Sequence, residues 1–288
     1  MKALVLAGGS GSRLRLIART GRALRAIGAA AASPPYAAPG HFYSPLTSAA
    51  DIDRALSWEQ AAPGVDLREE EQLALIARFA DVLASPPPGP RWNDGPANRM
   101  FGAGDAVIYR AMLGYLRPRR IMEAGSGYST AVALDEGYPV TCAEPYPARL
   151  QSLLRPGDPV TLIRRPVQDV PLEEFARLGA GDILFIDSSH VTKAGSDVTW
   201  LLLHVMPRLA PGVAVHLHDI FWPFAYPAQW LAERRDWNEA YFLHAFLSGN
   251  ACWEILLFAS WLWRQHPELI PQHLASEQPG SIWLRKTG

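Results

Sequence analysis

The stretch RIMEAGSGYST, residues 120–130, decides the fold. Ile121 and Met122 lead into a short strand that Glu123 closes, Gly125-Ser126-Gly127 makes a turn, and Tyr128-Ser129-Thr130 begin a helix. Glycines at such a turn let the backbone bend sharply and approach a ligand closely. Outward from this point the pattern repeats. VTCAE (140–144), VTLIR (160–164), DILFID (182–187) and VAVHLHD (213–219) read as short strands. Between them STAVALDEG, YPARLQSLL, LEEFARLG and SDVTWLLLHVMPRL read as helices. Short apolar strands alternating with helices indicate an α/β class fold with a doubly wound, mostly parallel sheet covered on both faces. Right-handed crossovers then align the strand C-termini along one edge, where ligands bind in such folds.

Upstream the chain changes character. Residues 1–35 hold a second glycine loop, LAGGSGSRLR (6–15), and an Ala/Arg-rich helix candidate, TGRALRAIGAAAASPP, stopped by prolines. Residues 36–118 read as a helical extension and lid. The aromatic segment GHFYSPL (40–46) comes first. A helix over 67–85 follows, with Leu73, Ile76, Phe79 or Ala80, and Leu83 on one face. PPPGP ends it, and FGAGDAVIYRAMLGYL (101–116) is a further helix. Residues 119–288 are the ligand-binding α/β domain.

The 288 residues suffice for a sizeable core, and 49% hydrophobic with 19% charged residues is a globular balance. A formal net charge of -1 offers no global attraction to nucleic acid or anionic lipid, so neither is expected as a partner. Cys142 and Cys252 make neither a disulfide framework nor a zinc pair and read as reduced core thiols of a cytoplasmic protein. No signal peptide is read at the start, and EILLFASWLW is too short to span a membrane. Tryptophans gathered between Trp222 and Trp263 indicate an aromatic-lined cavity or a bulky core.

The chemistry lies at the strand ends. Glu144 closes the second strand, seventeen residues after Gly127, where an acidic side chain can accept hydrogen bonds from both ribose hydroxyls. Thr130 stands where a dinucleotide fingerprint has its third glycine, and Glu123 before the loop would repel a pyrophosphate. It suits a ligand with a cationic end. Adenosine joined to an amino acid, without phosphate, describes S-adenosyl-L-methionine. Asp187 and His190 lie just beyond the fourth strand, His218 and Asp219 at the end of the fifth, so the four side chains can converge. Such groups suit a divalent metal or an acid–base pair. His216 is expected on the face opposite His218, as a structural residue. The insert after Asp219, IFWPFAYPAQWLAERRDWNEAYFLHAFL, is expected to cover the site together with GHFYSPL, its Trp222, Phe224, Tyr226 and Trp230 favouring a flat or sugar-like acceptor.

IMEAGSGYST, TCAEPY, VQDV, DILFIDSSH and VHLHDIFWP, in this order and spacing, resemble the class I S-adenosylmethionine-dependent methyltransferases of the bacterial small-molecule branch over roughly residues 36–288. The resemblance implies a seven-stranded Rossmann-like sheet with SIWLRK (281–286) as its last, antiparallel strand. It implies that Glu123, Gly125 and Gly127 line the methionine and sugar portion of the cofactor, that Glu144 holds the ribose, and that Gln168 and Asp169 stand near the adenine. The Asp187/His190 spacing resembles that of macrocin-type sugar O-methyltransferases, in which the aspartate binds magnesium and the histidine is the base. By that likeness His190 is the catalytic base and Asp187 and Asp219 are the metal ligands. Those enzymes carry two adjacent carboxylates at the end of the fifth strand; here His218-Asp219 stands there, and imidazole in place of oxygen weakens a magnesium site.

LAGGSGSRLR resembles the start of the sugar-phosphate nucleotidyltransferases over about fifteen residues. Leu16 replaces that family's proline, and no lysine occurs between Lys2 and Lys193. The first loop is therefore expected to bind no nucleotide and to be a fused remnant or a misplaced start. The expected function is S-adenosylmethionine-dependent O-methylation of a small-molecule or sugar hydroxyl. The alternatives are a non-catalytic binding protein of the same fold and, from the opening alone, a nucleotidyltransferase. Assembly into a homo-oligomer is left open.

Overall fold

The computed structural model describes residues 36–85, 91, 98 and 100–288, so the first glycine loop and the Ala/Arg-rich helix lie outside the described residues. The chain divides between Ala55 and Leu56 into two compact units. In the first, Ser48 caps helix α1 (Ala49–Ser57): its hydroxyl donates to Asp51 at 2.6 Å and accepts from the Asp51 N–H at 3.2 Å.

In the second unit, helices α2 (Glu69–Arg78), α3 (Ala80–Ala84) and α4 (Ala103–Leu116) precede the sheet. The strands are β1 (Ile121–Ala124), β2 (Val140–Ala143), β3 (Val160–Ile163), β4 (Ile183–Ile186), β5 (Ala214–His218), β6 (Trp253–Phe258) and β7 (Ser281–Lys286). Helices α5 (Tyr128–Asp135), α6 (Ala148–Leu153), α7 (Leu172–Phe175) and α8 (Asp197–Trp200) fall between the parallel strands. Helices α9 (Ala228–Ala232) and α10 (Glu239–Leu247) belong to the insert after β5, and α11 (Ala259–Gln265) follows β6. Among the described residues the sheet runs β3-β2-β1-β4-β5-β7-β6. The first five strands are parallel, and β7 lies antiparallel between β5 and β6. SIWLRK is thus the antiparallel strand expected of it.

Burial explains the strand compositions. β1 and β4, at the centre, are buried at every position and read as unbroken apolar runs apart from Glu123, whereas the edge strand β3 is only partly buried. Cβ positions alternate along a strand, so residues two apart share a face. His216 and His218 therefore point to the same side of β5, and their rings stack at 5.7 Å. The expectation of opposite faces is corrected. The structural role expected of His216 fits its surroundings: its ring lies 3.9 Å from that of Phe185 and 4.7 Å from that of Trp283.

Other local expectations shift. The helix over 67–85 breaks at Phe79 into α2 and α3, and it buries Gln72, Leu75, Ile76, Phe79 and Leu83 while Leu73 is half-buried and Ala80 exposed. Gln72 takes an inward position because its carbonyl oxygen accepts the Phe258 N–H at 2.6 Å and its amide donates to the Leu67 carbonyl. The long helix expected over 196–209 is α-helical only through Trp200, then forms a π turn (Leu201–Val205) and a 3-10 turn (Met206–Arg208). Pro207, with no N–H to donate, favours that break. Cys142 is buried in β2, but Cys252 is exposed in the turn before β6 and is not a core thiol. Of the clustered tryptophans, Trp253, Trp261 and Trp263 are core residues, while Trp222, Trp230 and Trp237 are half-buried in the insert. No helix among the described residues is long and apolar enough to cross a membrane.

Candidate active site

The C-terminal ends of β1, β2 and β4 open into one cavity of about 450 Å³, bordered by Gly125, Glu144, Tyr146, Gln168, Asp187 and Lys193 among others. Gly125 has φ +100°, and a Cβ there would lie 2.1 Å from the Asp187 carbonyl oxygen. Only glycine lets the β1 loop cross so close to the end of β4. That crossing brings Asp187 onto the cavity wall, with its N–H donating to the Ala124 carbonyl at 3.0 Å. Glu144 is fixed from two sides: the Tyr146 N–H donates to Oε1 at 2.7 Å and the Ser126 hydroxyl to Oε2 at 3.4 Å. Gln168 borders the cavity and donates to the Gly195 carbonyl at 3.4 Å, whereas its neighbour Asp169 is exposed and off the wall.

Glu123 and Gly127 do not border the cavity. Glu123 is buried behind the loop, where its carboxylate accepts the hydroxyls of Ser129 and Thr130, the latter at 2.6 Å. Burial pushes this carboxyl up to about 7, against the lowering effect of those two hydrogen bonds.

Asp187 also belongs to a second cluster. His190, 4% exposed, presents Nε2 to Asp187 Oδ1 at 3.4 Å and to Asp219 Oδ2 at 3.5 Å, while its Nδ1 lies 2.9 Å from Glu239 Oε2. Asp187, His190 and Asp219 thus converge as expected. His218 stands at the rim of the group, 3.7 Å from Asp219 Oδ1, but its ring is buried against Phe101, the Met100 carbonyl and Asp105. His190 and Asp219 both have positive φ, 58° and 56°. Histidine and aspartate tolerate that region better than most residues, and such strained positions gather at functional sites.

Charge follows from the packing. Burial lowers the affinity of His190 for a proton, but Asp187 and Glu239 outweigh it and hold the imidazole well above its ordinary range. Burial would raise Asp187, yet the neighbouring imidazoles of His218 and His190 bring it to about 2. His218 is pushed up to about 9 by Asp219, Asp105 and Asp187 against the cost of burial. Burial, partly offset by His218, raises Asp105 to about 6. Asp187 and Asp219 are the open members of the cluster, with side chains 37% and 19% exposed.

Glu239 was not legible as a site residue. It sits 49 residues beyond His190, in an Asn-Glu pair before an apolar run that reads as an ordinary helix start. In the fold that start grips the histidine loop. The N–H groups of Asn238 and Glu239 both donate to the His190 carbonyl, at 3.1 and 3.2 Å, and the Trp237 ring lies 4.4 Å from the imidazole. Tyr146 and Lys193 were missed as cavity residues because each reads alone as a solvated loop side chain. In the insert, Phe224 and Tyr226 are buried packing residues, while Trp222 and Tyr226 border a separate cavity of about 620 Å³ with Phe221 and Arg264.

Known proteins resemble parts of this chain. The family described as a methyltransferase domain matches residues 122–220, from β1 to the residue after Asp219. An uncharacterised protein of Archaeoglobus fulgidus is 34% identical over 164 residues, 49% of this chain and 72% of that relative. The SAH-bound methyltransferase PaMTH1 of Podospora anserina aligns with a TM-score of 0.48 and 17% identity, over 76% of this chain and 97% of its own. The O-methyltransferase TomG of Streptomyces achromogenes, in complex with SAM, aligns at 0.43 and 16% identity, over 74% and 90%. Residues 122–220 therefore form a class I S-adenosylmethionine-dependent methyltransferase domain.

Proposed function

We propose that the chain transfers the methyl group of S-adenosylmethionine to a hydroxyl oxygen of a small-molecule or sugar acceptor. The observation that carries this is the double membership of Asp187, which borders the 450 Å³ cavity and also stands 3.4 Å from His190 in the carboxylate–imidazole cluster. A cofactor cavity that opens onto a proton-handling cluster is what alkylation of a hydroxyl requires. When bound, the cofactor supplies a methyl carbon activated by sulfonium. The chain's own part is to align the acceptor and take up its proton.

The residues fit such a cofactor. In this reading Glu144 holds the ribose hydroxyls with the carboxylate that Ser126 and Tyr146 orient. Gln168 faces the adenine, and Gly125 and Asp187 border the end where the methyl group leaves. Glu123, Gly127 and Asp169 act from behind or beside that wall, Glu123 by tying β1 to the start of α5 through Ser129 and Thr130. Trp237 beside the His190 imidazole, with the Trp230 ring 5.2 Å from its own, supports a flat or sugar-like acceptor.

His190 was expected as the general base, and Nε2, on the open side of the ring, is the nitrogen for that role. Asp187 and Glu239 raise the affinity of the imidazole for a proton, so a proton taken up at Nε2 is stabilised between Asp187 and Asp219. A panel of hydroxyl-bearing small molecules and sugars, incubated with methyl-labelled S-adenosylmethionine, tests the reading. The label should appear on oxygen; label on nitrogen alone, or none with any class, would contradict it.

A further inference from the structure

We propose that the cavity of about 620 Å³ bordered by Phe221, Trp222, Tyr226 and Arg264 is a second ligand site, which takes a monoanionic carboxylate carried on a ring. It shares no bordering residue with the cofactor cavity. The three aromatic residues come from the run after β5, Arg264 from α11, and Gln278 from the approach to β7.

The aromatic walls are set before any ligand arrives. A Cβ on Gly280 would lie 2.6 Å from Cζ of Phe221, so glycine there lets that ring lie close over the start of β7. On its other side Phe221 meets Trp230 edge to face at 5.1 Å. The Trp222 N–H donates to the Ser260 hydroxyl at 2.9 Å, and its ring meets Phe258 at 5.9 Å. Tyr226 is buried, with its hydroxyl accepting the Ala240 N–H at 3.2 Å. Fixed aromatic faces favour the flat side of a ring and lose little freedom on binding it.

The charge on the wall selects the substituent. Arg264 is the one charged residue among the described residues that border this cavity. Its Nη1 reaches only neutral acceptors, the Gln60 Oε1 and the Trp222 carbonyl, both at a long 3.4 Å. No carboxylate pairs with it among the described residues, and its Nε and Nη2 are left to donate. An arginine edge of that kind matches a carboxylate in bidentate fashion. A single cation balances one negative charge, which favours a carboxylate over a phosphate ester or a pyrophosphate. Arg235 offers no equal site, because Glu233 already takes its Nε and Nη2, both at 2.8 Å.

The site adjoins the insert rather than the cofactor. From Phe221 the rings run through Trp230 to Trp237, 5.2 Å apart, and Trp237 lies 4.4 Å from the His190 imidazole. Because its walls lie apart from the cofactor cavity, the inference stands or falls independently of methyl transfer.

Calorimetric titration of the full chain with benzoate, benzamide, glucuronate and glucose tests it. At least one of the two carboxylates should bind with a Kd of about a millimolar, weakening as salt is raised, since Arg264 is exposed. Its neutral counterpart should bind about tenfold more weakly, the loss expected when a charge-assisted pair is removed. Benzoate as the tighter ligand identifies an aromatic ring, and glucuronate a sugar ring. Arg264→Ala should remove the preference for the carboxylate, and Arg264→Lys should keep part of it. A thermal melt verifies that both variants are folded, and S-adenosylhomocysteine should neither compete with the carboxylate nor bind differently to the variants. No carboxylate binding at tens of millimolar, equal binding of acid and neutral counterpart, binding unchanged in Arg264→Ala, or displacement by S-adenosylhomocysteine would overturn the proposal. Failure of S-adenosylhomocysteine itself to bind would count against methyl transfer and leave this site standing.

Discussion

At the scale of single residues, the site is built on carboxyl groups kept from water for different purposes. Glu123 is the clearest. Its carboxyl is raised from 4.5 to about 7 by burial, so between those values the unfolded chain gives up a proton that the folded chain keeps. Stability therefore falls as pH rises through that window and stays lower above it. Glu123→Gln removes this dependence, and its stability relative to the native chain should rise by about 1–3 kcal/mol between pH 4.5 and 8. Urea unfolding at pH 5 and pH 8 measures it, and a difference that does not change with pH would refute the assignment. Residue types were legible in the sequence where they acted near their own position, as with Asp187 and His190, three apart beyond one strand. Glu239 was not, because only the fold shows that its carboxylate lies under the imidazole. His216 and His218 needed only the two-residue period of a strand to be placed on one face.

At the scale of elements, the β1 loop carries the strictest demand. A Cβ on Gly125 would meet backbone, the Asp187 carbonyl oxygen, and the positive φ adds strain, so Gly125→Ala should cost on the order of 3 kcal/mol and disorder the cavity wall. Gly137 has a similar positive φ of 82° but nothing within 4 Å of its Cβ position, and Gly137→Ala should cost about 1 kcal/mol. Chemical denaturation of the two variants gives the comparison; equal losses would mean that the close approach at Gly125 is not what matters. These glycines explain why the strand–turn–helix units were readable: a backbone need leaves a mark in sequence. The break at Phe79 left no mark in the apolar periodicity, and the π turn at Leu201–Val205 left only Pro207 just beyond it.

At the scale of the whole molecule, the order β3-β2-β1-β4-β5-β7-β6 puts β1 between β2 and β4, so the loops that hold Glu144 and Asp187 flank the glycine turn. Strand alternation made this sheet legible, whereas the path of the insert after β5 was not, because its aromatic residues fit a lid and a core equally well. The opening glycine loop resembles another family over only about fifteen residues. Removing residues 1–15 should therefore leave S-adenosylhomocysteine affinity within about twofold, and loss of binding in a folded truncation would place that segment in the machinery. The central claim is that the second glycine loop and Glu144 hold S-adenosylmethionine beside the Asp187–His190–Asp219 cluster. Calorimetric titration of the native chain and of Glu144→Ala with S-adenosylmethionine tests it most directly. One molecule should bind per chain, with Glu144→Ala weaker by about 1–3 kcal/mol, the cost of losing hydrogen bonds to a charged acceptor. No binding to the native chain at millimolar cofactor, or equal affinity in the variant, would contradict it.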